Sequence, residues 1–208
     1  MAACLAAAGV VTGTHVAVLL PNCPEYLVLV HAVLRLTAVL VPLNTRLTRV
    51  ELLGQIEHAD VALLVCNAAT AGLATALDCP RLELPGTKAT APALRINARC
   101  DAQFLLFTSG TSGRPKAVQL TAANLLAGAQ ASAQRLGVMP DDCWLLCMPL
   151  YHVGGLAAAL RSCIYGTAVE LQAGFDANLL ASAIATGQTA APAPAVQPAR
   201  GLRRRCLA

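Results

Sequence analysis

The stretch FLLFTSGTSGRPKAVQL, residues 104–120, runs from an apolar segment into a loop rich in glycine and hydroxyl groups, and leaves through a single lysine into a second apolar segment. Phe104, Leu105, Leu106 and Phe107 form the continuous apolar run expected of a strand buried on both faces of a parallel sheet. Gly110 and Gly113 let backbone N–H groups turn toward one point, and Thr108, Ser109, Thr111 and Ser112 place hydroxyl donors around it. Lys116 adds the positive charge. Donors of this kind converging on one point suit a multiply charged phosphate group. A flexible Ser/Gly linker draws on the same residue types, but linkers are not clamped between two apolar strands.

The exit from the loop distinguishes it from the P-loop of nucleotide hydrolases, in which Gly-Lys-Ser/Thr opens a helix. Here Pro115 precedes the lysine and disfavours the α region for Arg114, so the chain leaves extended. Lys116 to Leu120 is therefore expected to be a second strand, and the whole stretch a hairpin-like phosphate loop.

At these residues the chain resembles the adenylate-forming, AMP-binding superfamily of acyl- and aryl-CoA synthetases, luciferases and peptide-synthetase adenylation domains. Its signature loop reads Tyr/Phe-Thr-Ser-Gly-Thr-Thr/Ser-Gly-x-Pro-Lys-Gly. FTSGTSGRPK fits it through Lys116, and Ala117 replaces the usual glycine. The resemblance implies that Thr108, Ser109, Gly110, Thr111, Ser112, Gly113 and Lys116 hold the β- and γ-phosphates of ATP, with Lys116 as the catalytic residue.

Further matches flank the loop in the expected order. Residues 9–53 look like the opening α/β unit of these ligases: a strand from His15 to Leu20, a helix from about Pro24 to Leu36 with its proline in the first turn, and a strand from Ala38 to Val41. Thr48 and Glu51 have capping-box spacing for another helix. These residues read as scaffold, and no catalysis is assigned before Thr108. Beyond the loop, Thr121 is expected to cap a helix with Leu125, Leu126, Ala129, Ala133 and Leu136 on one stripe, stopped by Gly137.

The segment CWLLCMPLYHVGG, residues 143–155, resembles the family's Pro-Leu-Phe/Tyr-His-x-x-Gly segment, so that His152, Gly154 and Gly155 are implied to border the carboxylate substrate's pocket. Chemistry alone also admits a core histidine packed at a strand end. The continuation through residue 184 is similar to the 2-succinylbenzoate-CoA ligase branch, which acts in menaquinone and phylloquinone biosynthesis. Arg161 invites a role with a second substrate carboxylate. On a continuous helix, however, it lies nine positions after His152 and on the opposite face, and it is left out of the site.

The resemblance covers roughly residues 5 to 185, less than half of a typical member. The family's adenine-binding Gly-Tyr-Gly-x-Thr-Glu segment, its ribose-binding Thr-Gly-Asp segment, its hinge and its late lysine are missing. The two lysines present, Lys88 and Lys116, are neither of them that late one. The fold class expected is α/β, a partial large N-terminal domain over residues 1–185 with a mostly parallel sheet flanked by helices. Residues 186–208 are Ala/Pro-rich and carry no acidic group, and they are expected to be a disordered or frameshifted tail.

The implied function is ATP-dependent acid–thiol ligation, a carboxylate being adenylated and then passed to coenzyme A, with ATP and Mg2+ as cofactors. This chain alone is expected to be inactive, and the alternative is an inactive remnant that binds phosphate weakly. No resident metal site is expected. Net charge is +4, but Arg200, Arg203, Arg204 and Arg205 lie in the tail, so the remainder carries 11 charges of each sign. With 3% aromatic residues a nucleic-acid face is not expected. Hydrophobic residues make up 56% of the chain, yet prolines, glycines and polar residues interrupt each apolar stretch before it reaches the roughly 20 residues of a membrane span. A cytoplasmic location is expected, and the nine cysteines, without any CxxC, read as reduced thiols. Cys143 and Cys147 share one face of a strand near His152, but the spacing is not that of a structural zinc site.

Overall fold

The computed structural model describes residues 1–85, 102–108, 115–186 and 203–206. It divides into two compact units, Met1–Asn124 and Leu125–Ala208.

The first unit opens with α1 (Ala2–Ala7), β1 (His15–Val18), α2 (Pro24–Arg35), β2 (Val39–Pro42), α3 (Arg49–His58), β3 (Leu63–Asn67), α4 (Ala71–Thr75) and β4 (Arg81–Leu84). β5 (Ala102–Thr108) and β6 (Lys116–Thr121) complete a six-stranded sheet of order β4-β3-β1-β2-β5-β6. Every pairing is parallel except that of β5 with β6. The apolar runs of the sequence are therefore strands covered on both faces. Val16, Ala17, Val18, Leu40, Val41, Leu64 and Val65 are fully buried. One face packs against α3 and α4 through Ala17, Leu19, Val41, Leu52, Ile56, Leu64, Ala74 and Leu105. Each leucine or valine so buried contributes about 1.5–3 kcal/mol relative to exposure.

Local signals set the helix ends. Pro24 occupies the first turn of α2, where its missing N–H is not needed. Thr48 and Glu51 form the expected capping box: Thr48 N and Oγ1 donate to the Glu51 carboxylate at 2.8 and 2.7 Å, and Glu51 N donates to Thr48 Oγ1 at 3.4 Å. These hydrogen bonds to Thr48 hold the Glu51 carboxyl below its ordinary value.

α5 (Ala122–Leu136) leads into the second unit, followed by β7 (Asp142–Leu146), α6 (Val153–Tyr165), β8 (Ala168–Leu171), α7 (Ala177–Thr186) and β9 (Arg203–Cys206). The second sheet has the order β8-β7-β9, all parallel. Thr121 Oγ1 accepts from Asn124 N at 3.2 Å, and Gly137 ends the helix with φ +70°. The apolar stripe of α5 differs from expectation. Ala129 is buried, whereas Leu126 and Leu136 are about half exposed. The helix meets α6 through small residues and hydrogen bonds instead: Tyr165 Oη donates to the Ala129 carbonyl, and Arg161 Nη1 donates to Ser132 Oγ at 3.1 Å.

Arg203–Cys206 pairs with β7 and fills one edge of the second sheet. A parallel ladder needs main-chain groups only, so a segment without apolar periodicity can still fill an edge. Residues 187–202, 207 and 208 lie outside the described residues. No helix among the described residues is long and apolar enough to cross a membrane.

Candidate functional site

The expected phosphate loop begins where β5 ends and finishes where β6 begins. Thr108 is the last residue of β5, Lys116 is the first of β6, and the two are directly paired across the antiparallel ladder. Thr108 Oγ1 also donates to the Lys116 carbonyl over a long 3.4 Å. The hairpin inferred from Pro115 is thus present, and its stem places one hydroxyl and one ammonium group, both exposed, at the base of the loop. Ser109, Gly110, Thr111, Ser112 and Gly113 lie outside the described residues. Because β5 runs parallel to β2, the loop springs from the C-terminal ends of the strands, the edge at which open α/β sheets bind ligands.

The stem also accounts for the one departure from the family pattern. Ala117 pairs with Phe107, and both lie against the core cluster under α3. An alanine methyl adds apolar cover there that a glycine would lack.

The second group of expected residues sits in the second unit, at the start of α6. His152 is the N-cap: its N–H donates to the Pro149 carbonyl at 3.1 Å, and its carbonyl accepts from Leu156 N at 3.1 Å. The imidazole is exposed and tilts against Tyr151, with ring centroids 4.7 Å apart. That placement removes the alternative of a core histidine. The two glycines have different surroundings. At Gly154 an added Cβ would meet only Met148 Cε at 3.9 Å, leaving that position open. At Gly155 it would stand 2.5 Å from the Pro149 carbonyl oxygen and 2.8 Å from that of Met148. At Gly155 the chain's own backbone fills the space that a side chain would take, so this glycine packs the turn against the helix.

Arg161 is engaged elsewhere in the same unit. Its guanidinium carbon lies 5.3 Å from the centre of the Trp144 ring, in cation–π range, while Nη1 reaches Ser132. Cys143 and Cys147 are buried thiols outside any disulfide. Among the described residues no three His, Cys, Asp or Glu side chains cluster to hold a metal.

Two neighbours escaped the sequence reading. Tyr151 flanks His152, and the His58 ring stands edge-on to Phe107 with centroids 5.8 Å apart at 74°. The latter pair is separated by 49 positions (107 minus 58), and no local pattern signals it.

Residues 1–191 match the family model described as AMP-binding enzyme. The 2-succinylbenzoate–CoA ligase of Bacillus cereus is 40% identical over 182 residues, which are 86% of this chain and 37% of the ligase. Among solved structures, O-succinylbenzoate coenzyme A synthetase from Bacillus subtilis with ATP and magnesium ion superposes with a TM-score of 0.80 at 31% identity, over 88% of this chain and 51% of that one. The same enzyme with the acyl-adenylate intermediate OSB-AMP gives a TM-score of 0.80 at 34% identity, over 88% and 49% of the two chains. The chain therefore spans about a third to a half of the length of these proteins.

Proposed function

This chain belongs to the AMP-binding enzyme family, and on that premise we propose that it carries the pyrophosphate-side loop and part of the carboxylate-side wall of an ATP-dependent acid–thiol ligase acting on 2-succinylbenzoate. The observation that carries the reading is the pairing of Thr108 with Lys116, which brings the two ends of a glycine- and hydroxyl-rich loop together at the ligand-binding edge of a parallel sheet.

The reaction has two steps. A carboxylate oxygen bonds to the α-phosphorus of ATP while the bond from that phosphorus to the bridging oxygen breaks, and pyrophosphate leaves. The thiol sulfur of coenzyme A then bonds to the acyl carbon, AMP departs with the former carboxylate oxygen, and the thiol proton passes to base. In the first step negative charge grows on the leaving pyrophosphate. Lys116 and the loop's hydroxyl and N–H donors stabilise that charge. Magnesium bound together with ATP would neutralise part of the phosphate charge. At the acyl side, His152 and the open position at Gly154 stand at the N-terminus of the 13-residue α6, whose dipole favours a carboxylate.

Because the chain spans 37% of the Bacillus cereus ligase, catalysis is tested in a chimera in which residues 1–191 replace the matching part of that ligase. The assay is ATP–pyrophosphate exchange with 2-succinylbenzoate. Exchange is expected in the chimera, and Lys116→Ala is expected to lower it about ten- to a thousandfold. An active chimera indifferent to Lys116→Ala would remove the lysine from the mechanism. The chain by itself is expected to bind pyrophosphate weakly and to catalyse no exchange.

A further inference from the structure

The phosphate loop stands on a stem at the edge of the sheet. β2 meets β5 at the Leu40–Phe104 register, and nearer the loop β5 pairs with β6, which is itself the edge strand. Phe107 and Thr108, the residues that deliver the chain into the loop, thus belong to a two-stranded ribbon whose anchorage depends on side chains. On the α3 face those are Leu105, which is buried, and Phe107 and Ala117, which are half-buried against the same cluster.

His58 completes this anchorage. It is the last residue of α3, its Cβ leans back along the helix as in any α-helix, and its ring meets the Phe107 ring edge-on at 5.8 Å. The ring itself is exposed, so it adds little to the buried core. Its contact lies one residue before Thr108 and directly across the ladder from Ala117, the neighbour of Lys116.

We propose that His58 is a positioning residue for the phosphate loop, its ring bracing Phe107 so that Thr108 and Lys116 hold the loop's two ends at fixed separation. The role rests on the phosphate reading of that loop. It needs the shape of a planar ring rather than a titrating group, so phenylalanine should serve as well as histidine.

The test compares the full chain with its His58→Ala, His58→Phe and Lys116→Ala variants by amide hydrogen exchange and by equilibrium dialysis of inorganic pyrophosphate. In His58→Ala, exchange at Phe107, Thr108, Lys116 and Ala117 should quicken by about threefold to tenfold, the range of one edge-to-face contact. Amides of β1 and β3 should be unchanged. Pyrophosphate affinity should fall by a similar factor, and His58→Phe should restore both. Unchanged exchange in His58→Ala overturns the inference. Faster exchange with unaltered affinity, while Lys116→Ala binds more weakly, also overturns it by reducing the contact to scaffold. If Lys116→Ala binds pyrophosphate as the unaltered chain does, the phosphate reading falls and the positioning role with it.

Discussion

Replacing either of two adjacent glycines by alanine gives opposite outcomes. Both lie in the first turn of α6, so the gain in helix propensity, about 0.5–1 kcal/mol, is common to the two variants. Gly154→Ala meets only a flexible methionine tip at 3.9 Å and should collect that gain. Gly155→Ala puts a methyl 2.5 Å from the Pro149 oxygen, 2.8 Å from the Met148 oxygen and 2.9 Å from the Pro149 carbonyl carbon. These are main-chain atoms and cannot rotate away. Restoring a 3.4 Å contact requires a shift of about 0.9 Å (3.4 minus 2.5) between helix and turn. Overpacking of this kind costs about 1–3 kcal/mol, more than the propensity gain offsets. The difference between the variants isolates the clash, and at about 2–4 °C per kcal/mol for a chain of this size the melting temperatures should separate by about 2–12 °C. Trp144, the only tryptophan, lies buried in the same unit, so its fluorescence in a urea titration reports the relevant transition. Equal midpoints for the two variants, or a Gly155→Ala variant more stable than Gly154→Ala, would refute the close approach described here.

Two further outcomes follow from single groups. Tyr26 is fully buried, its hydroxyl has no hydrogen-bond partner among the described residues, and burial, with a smaller contribution from Cys23, pushes its ionisation well above the ordinary value. Tyr26→Phe should therefore raise stability by about 1 kcal/mol, read from the shift in urea midpoint, whereas a loss of that size would mean the hydroxyl is satisfied. Glu51 titrates below its ordinary value in the folded chain because Thr48 hydrogen-bonds its carboxylate. The stabilisation is fully present above the unfolded value near pH 4.5 and is lost as pH falls through the lower folded value. Acidification should accordingly loosen α3 in the unaltered chain. In Glu51→Gln that part of the acid sensitivity should be absent, as helix-resolved hydrogen exchange between pH 5 and pH 3 can show.

Much of this architecture could be read in advance, for local reasons. Pro24, the Thr48–Glu51 pair and Gly137 mark helix ends by backbone chemistry that needs no distant partner. Phe104 to Phe107 marks a doubly covered strand, and Pro115 turns the loop into a hairpin. What could not be read depends on contacts made across the chain. The α5 stripe suggested leucine packing, yet the helix meets its neighbour through Ala129 and Ser132, and nothing in a periodic pattern says which part of a stripe finds a partner. Nothing local shows that Gly155 lies against the Pro149 and Met148 carbonyls. A missing Cβ leaves the same mark in the sequence whatever lies against it. The bracing of Phe107 by His58 joins two elements 49 residues apart and has no short-range sign. The strand at Arg203–Cys206 is joined by main-chain groups, which every residue except proline possesses, so composition could not announce it.

The strand order has a consequence for how the chain reaches this arrangement. β1 to β4 are linked by short crossovers and can condense from contacts near one another in sequence. β5 must instead find β2 across 64 positions (Leu40 to Phe104), and the entropy of closing so long a loop places that docking late. During synthesis the first four strands emerge well before the hairpin. The platform thus exists before the loop it supports, and a ribosome-bound intermediate ending near residue 90 should already resist protease while having nothing with which to bind an anion.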